Sequence, residues 1–204
     1  SKRVGPSSST AAGPISDDLR GADSGRYCAH PKSGNHGKAL PMRIATSVPQ
    51  DDLRKVKAAA KQMEADGYGL ITTQENKHDP FLPLAVAAVE TDRVELATAI
   101  AISFSRSPMA VANASWDLNE GSRGRFVLGL GTQIKAHNER RFSVAWSAPA
   151  PRMREYVLAL KAIWRHWRHK TPLAFEGEHY RFTLMPPYFV PESLGLRTPP
   201  VTLA

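Results

Sequence analysis

The run Gln74-Glu75-Asn76-Lys77-His78-Asp79 concentrates residue types that can move protons. Glu75 and His78 lie three residues apart in a loop that follows a β-rich stretch. They form a candidate general acid–base pair, because a carboxylate and an imidazole can both exchange protons near neutral pH. A blander role leaves Glu75 and His78 to solvate the loop while Asp79 caps the next helix. His137-Asn138-Glu139 offers one imidazole and one carboxylate without a second ligand pair, so no metal is expected. His166 and His169 share a helix face without a carboxylate partner and read as a solvated helix end. Gly129-x-Gly131 lacks the third glycine of a dinucleotide fingerprint, and no helix opens directly after it.

These residues are placed by an alternation of short β-rich runs and longer helical ones that begins at Met42. Strands are expected at Arg43–Val48, Tyr68–Thr73, Arg93–Ala101, Arg125–Leu130 and Val201–Ala204. The first helix opens at Asp51-Asp52 and carries Leu53, Val56, Ala60 and Met63 at helical spacing. Asp79-Pro80 and Ser107-Pro108 each set a cap before a proline, opening helices to about Val89 and Asn119. A long loop leads to Pro151, where an amphipathic helix aligns Met153, Val157, Leu160, Trp164 and Trp167. Alternating βα units imply a parallel sheet, either an open doubly wound sheet or a (β/α)8 barrel. The first βα turn, Val48-Pro49-Gln50-Asp51, has no glycine-rich phosphate loop, which favours the barrel.

The 204 residues contain 42% hydrophobic and 23% charged residues, ordinary values for a folded domain. The longest apolar stretch, Leu96 to Ile102, is far shorter than a membrane span, so no membrane partner is expected. The start has no apolar signal region and Cys28 is the single cysteine, which together suggest a cytoplasmic protein. Gly, Ser and Pro fill seventeen of the first 42 positions. Residues 1–41 are therefore expected to be a disordered leader or upstream sequence, with 42–204 as the domain. The net charge of +8 is uneven. Residues 121–204 hold thirteen Lys and Arg against five acids, whereas residues 43–120 hold eight against eleven. No recognition motif accompanies the basic third, so nucleic acid is not an expected partner.

Four stretches carry a family resemblance: Lys77-His78-Asp79-Pro80-Phe81-Leu82-Pro83-Leu84, Gly124-Arg125-Phe126-Val127-Leu128-Gly129-Leu130-Gly131-Thr132-Gln133, Pro149 to Tyr156, and Phe175-Glu176-Gly177-Glu178-His179-Tyr180. In this order they resemble the luciferase-like monooxygenases, in particular the branch dependent on the deazaflavin coenzyme F420. The resemblance covers about residues 42–204. It implies a (β/α)8 TIM barrel, here truncated after about five βα strands.

The resemblance also implies an oxidoreductase or monooxygenase that uses F420, or alternatively FMN, on a small organic substrate. The cofactor ring would lie across the C-terminal ends of the strands. A bulge near Thr98-Ala99-Ile100, often with a non-proline cis peptide, would back the ring, which makes Thr98 and Ala99 candidate cofactor contacts. Thr132 and Gln133 are candidate hydrogen-bond partners of the ring, and Glu75 and His78 the candidate catalytic pair. Some family dehydrogenases place a glutamate after the strand-four Gly-Thr, where this chain has Gln133-Ile134. The departure implies either a substrate other than a sugar phosphate or an acid supplied from elsewhere. Free strand edges suggest a homo-oligomer, and the 204-residue chain alone is expected to be inactive. The alternative reading is a non-catalytic fragment that only associates with another chain.

Overall fold

Each principal strand of the sheet is followed by a chain segment that supplies its own stop and restart signals. A computed structural model describes residues 43–204; the leader assigned to residues 1–41 lies outside the described residues. The elements, in order, are β1 (Ala45–Ser47), α1 (Leu53–Ala65), β2 (Leu70–Thr73), α2 (Phe81–Glu90), β3 (Glu95–Thr98) and β4 (Ala101–Ile102). They continue with α3 (Pro108–Gly121), β5 (Phe126–Gly131), α4 (Lys135–Arg140), α5 (Pro149–His169), β6 (Phe175–Glu176), β7 (Arg181–Phe182), a 3-10 turn (Pro187–Phe189) and β8 (Val201–Leu203).

Three helix starts follow from short polar side chains. The Asp52 carboxylate accepts from Arg54 N at 3.0 Å, and Ser107 Oγ accepts from Met109 N at 3.2 Å. Asp79 Oδ1 accepts from Phe81 N at 2.8 Å and Leu82 N at 3.3 Å, with Pro80 between them where its missing N–H costs nothing.

The main sheet is wholly parallel and runs β1-β2-β3-β5, with β4 and β8 also paired to β5. β3 and β4 are two pieces of one strand. The spatial order therefore follows the chain order without the reversal that defines a doubly wound sheet, which leaves the barrel. One face of the sheet packs under the helices. Its row Ile71, Leu96 and Phe126 is fully buried and is joined by Leu128, Leu130, Trp164 and Trp167. The amphipathic α5 buries Met153, Tyr156, Leu160, Ile163, Trp164 and Trp167. Trp167 meets Trp116 of α3 edge-on, with ring centroids 5.5 Å apart. These tryptophans are core. Among the described residues no helix is long and apolar enough to cross a membrane.

Three parts of the sequence expectation are corrected. The third strand does not run unbroken from Arg93 to Ala101 but stops at Thr98 and resumes at Ala101. The long loop before the last helix contains α4, and α5 itself begins at Pro149 rather than Pro151. Phe175-Glu176 and Arg181-Phe182 pair as a short antiparallel hairpin that no strand pattern announced, two residues per strand being too short to display a period.

Candidate active site

The break in the third strand is a β-bulge. From Ala97 to Ala101 that strand advances four residues, while β5 advances three, from Val127 to Leu130. The extra residue falls at Thr98-Ala99-Ile100, and the Ala99–Ile100 peptide is cis, as the resemblance implied.

Both neighbouring strands hold the bulge. Toward β2, Ala99 N donates to Thr73 O at 2.7 Å, and Glu75 N donates to Ile100 O at 3.2 Å. Toward β5, the Thr98 hydroxyl donates to Gly129 O at 2.7 Å and accepts from Gly129 N at 2.9 Å. Ser103 N and Ser103 Oγ both donate to Gly131 O, at 2.9 and 3.0 Å. The two glycines make room for this. A Cβ on Gly129 would stand 1.9 Å from Thr98 O, and one on Gly131 would stand 2.7 Å from Ile100 Cδ1. The Gly-Leu-Gly run is thus a seat for the bulge rather than a phosphate loop.

Alternation along the strands puts one row of side chains, Ser47, Thr72, Ala97 and Val127, on the face turned from the helices. That face is polar toward β1, where Ser47 Oγ and Thr72 Oγ1 lie 3.0 Å apart and Gln74 Nε2 donates to Ser47 Oγ at 2.8 Å. Beyond Thr72 it becomes small and smooth, with Ala97, the bulge and Gly129. In a barrel of this kind the chemistry belongs to the loops at the C-terminal strand ends. Gln50 fastens two of them, donating to Gln74 O at 2.9 Å and accepting from Gln74 N at 3.0 Å.

Glu75 and His78 are separated by this architecture. The Glu75 side chain is 7% exposed; Oε2 accepts from Ile102 N at 2.7 Å, and Oε1 pairs with Arg106 Nη2 at 2.8 Å. The same Nη2 reaches Asp79 Oδ2 at 3.0 Å. Burial alone would lower the Arg106 pKa, but the Glu75 and Asp79 carboxylates outweigh it and raise it. His78 is exposed, in a cleft of about 240 Å³ with Gln50, Gln74, Asn76 and Lys77. Among the described residues no hydrogen bond joins His78 to Glu75: the first faces the cleft at the mouth and the second faces the bulge.

The other sequence candidates divide in the same way. Thr98 sits at the bulge with its hydroxyl committed to Gly129, and Ala99 is exposed beside it. Thr132 lines an apolar cavity of about 570 Å³ with Met153, Val157 and Leu203, on the α5 side of the sheet. Gln133 has φ +59°, a conformation rare outside glycine, and its Oε1 accepts from Ile134 N at 2.9 Å. Three residues at the mouth went without a role in the sequence. Arg106 lies within the strand-three loop but shows no local pattern. Buried Asn138 holds the loop after β5, donating to Thr132 O, Gln133 O and Ile134 O at 2.9–3.3 Å. Arg141 ties that loop to the β2 loop through Asn76 O at 2.6 Å. Their partners are backbone carbonyls or distant side chains, which leave no mark in residue spacing.

Five parallel strands in sequential order, with loops gathered at their C-terminal ends, define a (β/α)-barrel domain. The chain belongs to the luciferase-like monooxygenase family, whose profile matches residues 34–204. It is 48% identical over 168 residues to an uncharacterized protein of Mycobacterium tuberculosis, covering 82% of this chain and 49% of that protein. The chain thus spans about half the length of this relative. Among solved structures it is similar to the oxygenating constituent of 3,6-diketocamphane monooxygenase from Pseudomonas putida, in complex with FMN. That likeness has a TM-score of 0.62 at 16% identity and covers 74% of this chain and 45% of the other. It is also similar to the coenzyme F420-dependent tetrahydromethanopterin reductase of Methanopyrus kandleri. The TM-score is 0.55 at 19% identity, over 69% and 44% of the two chains. These two likenesses concern the fold, which is the luciferase-like TIM barrel.

Proposed function

We propose that this chain supplies the first five strands of an oxidoreductase site that takes coenzyme F420, with FMN as the alternative, and acts on a small organic substrate. The observation that carries the proposal is the bulge at Thr98-Ala99-Ile100, seated on Gly129 and Gly131 and bordered by Ala97. Small side chains at this level give a planar ring a surface to lie on, and bulges next to active sites commonly re-aim the chain. Family membership supports the reading, and so do the cofactors in the names of the Methanopyrus and Pseudomonas enzymes.

When bound, the deazaflavin supplies a two-electron, hydride-type transfer. The chain's own residues position it and handle protons. Gln133 would offer its side-chain amide to the ring, and the bulge at Ala99 would back it. Thr98 contributes through the bulge, because its hydroxyl is already spent on Gly129. Thr132 opens toward the α5 side and orients the loop instead. His78, the exposed imidazole at the mouth, takes or returns the substrate proton. The basic excess of residues 121–204 favours an anionic cofactor tail.

Titration of the purified chain with F420 and with FMN, followed by ring fluorescence anisotropy, tests this. Saturable binding of F420 at least tenfold tighter than FMN is expected. Preference for FMN would reassign the cofactor, and no saturable response to either would overturn the proposal.

A further inference from the structure

Glu75 meets the bulge at two points on the same strand. Its own N–H donates to Ile100 O at 3.2 Å, and its carboxylate Oε2 accepts from Ile102 N at 2.7 Å. Ile100 and Ile102 flank Ala101, where the strand resumes pairing with β5. One residue of the β2 loop therefore grips the bulge exit by backbone and side chain together. The second carboxylate oxygen, Oε1, is held by Arg106 Nη2 at 2.8 Å, and Asp79, itself the cap of α2, shares that nitrogen. Arg106 is also steadied from below, its guanidinium carbon lying 5.5 Å from the centroid of the Phe81 ring. The arrangement links the loop after β2, the loop after β4 and the start of α2 through one buried carboxylate.

A group that gives and takes protons during turnover needs a free lone pair or a proton aimed at substrate. Glu75 turns both oxygens to the protein instead. One oxygen serves a backbone amide, the other an arginine, and the side chain is 7% exposed. A carboxylate fixed this way is suited to holding geometry, since hydrogen bonds to a charged partner are shorter and stronger than neutral ones.

We propose that Glu75, paired with Arg106, is a positioning residue that sets the bulge as a platform for the cofactor ring, and that it is not the acid or base of the reaction. The inference rests on the cofactor reading above and departs from the pairing of Glu75 with His78.

The test compares wild type with Glu75→Ala, Glu75→Gln, Arg106→Ala and Arg106→Lys, using two readouts. Amide hydrogen exchange needs no ligand. In Glu75→Ala, exchange over residues 99–106 should quicken at least tenfold while α5 keeps its protection. Glu75→Gln, which retains an acceptor for Ile102 N, should fall between the two. Ring binding is the second readout. Glu75→Ala and Arg106→Ala should weaken F420 binding at least tenfold, Arg106→Lys should restore most of it, and the thermal midpoint of each variant separates this from simple unfolding. Where a variant does not fold, its conservative partner carries the comparison. If wild type binds no ring, the cofactor reading fails, but the exchange result still stands or falls alone. If wild type binds and Glu75→Ala binds equally well, with unchanged exchange at 99–106, the positioning role is overturned. If Glu75→Gln keeps tight ring binding and native exchange but, in an assembly that turns over substrate, loses turnover a hundredfold or more, Glu75 is the proton-transfer group and the proposal is wrong.

Discussion

The hydroxyl of Thr98 stands in for a missing backbone pair, donating to the carbonyl of Gly129 and accepting from its amide. At the bulge the third strand has slipped one residue against β5, so neither backbone group of Gly129 finds its ladder partner in β3. A buried N–H or C=O left without a partner costs about 1–3 kcal/mol. One side chain prevents both losses.

Thr98→Val is therefore expected to destabilise the chain by roughly 2–4 kcal/mol, the cost of two orphaned backbone groups. Thr98→Ser, which keeps the hydroxyl, should cost about 1 kcal/mol or less. Urea denaturation midpoints with unchanged slope would check this. A Thr98→Val protein no less stable than Thr98→Ser would show that the hydroxyl does not carry this contact.

The two glycines beneath the bulge should respond differently. Alanine at Gly129 would put a methyl 1.9 Å from a backbone carbonyl, which cannot move without undoing the bulge. Alanine at Gly131 would meet the end of the Ile100 side chain, which can rotate away. Gly129→Ala is expected to cost about 3 kcal/mol or more, or to prevent folding, and Gly131→Ala about 1–2 kcal/mol. Thermal melts of both proteins give the order. A reversal would show that Ile100 is held more firmly than Thr98.

Glu64 at the end of α1 should make stability depend on pH. Its carboxylate accepts from Asp92 N at 3.1 Å, Arg93 N at 2.6 Å and Val94 N at 2.9 Å, fixing the turn into β3. Burial by itself would raise its pKa, but the three N–H donors outweigh it and hold the carboxyl below its ordinary 4.5. A lowered folded-state pKa gives stability that is present above the unfolded value and lost as pH falls through the folded one. Glu64→Gln should thus be about 1–2 kcal/mol less stable than wild type at pH 7, with the gap closing as pH drops below 4.5. A gap that stays constant down to pH 3 would deny the carboxylate this role.

His78 is the remaining proton-transfer candidate once Glu75 is tied to Ile102 and Arg106. In an assembly that turns over substrate, His78→Ala should lower kcat by about 10²–10⁴-fold and leave ring affinity within a factor of three. An unchanged rate would return His78 to solvating its loop.

Much of this architecture was legible in the sequence, for local reasons. Asp52, Asp79 and Ser107 announced their helices because capping acts over two or three residues. The buried strand rows were visible in Leu96–Ile102 and Phe126–Leu130 because a sheet covered by helices writes itself as continuous apolar runs. The bulge position came from the family resemblance and from no period in the residues. What stayed hidden depends on long-range partners. Nothing near Glu75 announces Arg106, 31 positions away, and nothing near Asn138 announces that its amide would gather three carbonyls. For the same reason the different settings of Glu75 and His78, one buried and one exposed, were not legible, since spacing in a loop does not say which way each side chain turns.

The central claim is that the bulge at Ala99 is the floor on which a cofactor ring lies. A crystal structure of the protein grown with saturating F420 tests it most directly. The account predicts the deazaflavin ring against the Ala99–Ile100 peptide, over Ala97 and the Gly129–Gly131 strand, with the Glu75–Arg106 pair intact behind it. A ring bound instead in the apolar cavity between α5 and Leu203, or bound at the mouth without touching residues 97–100, would contradict it.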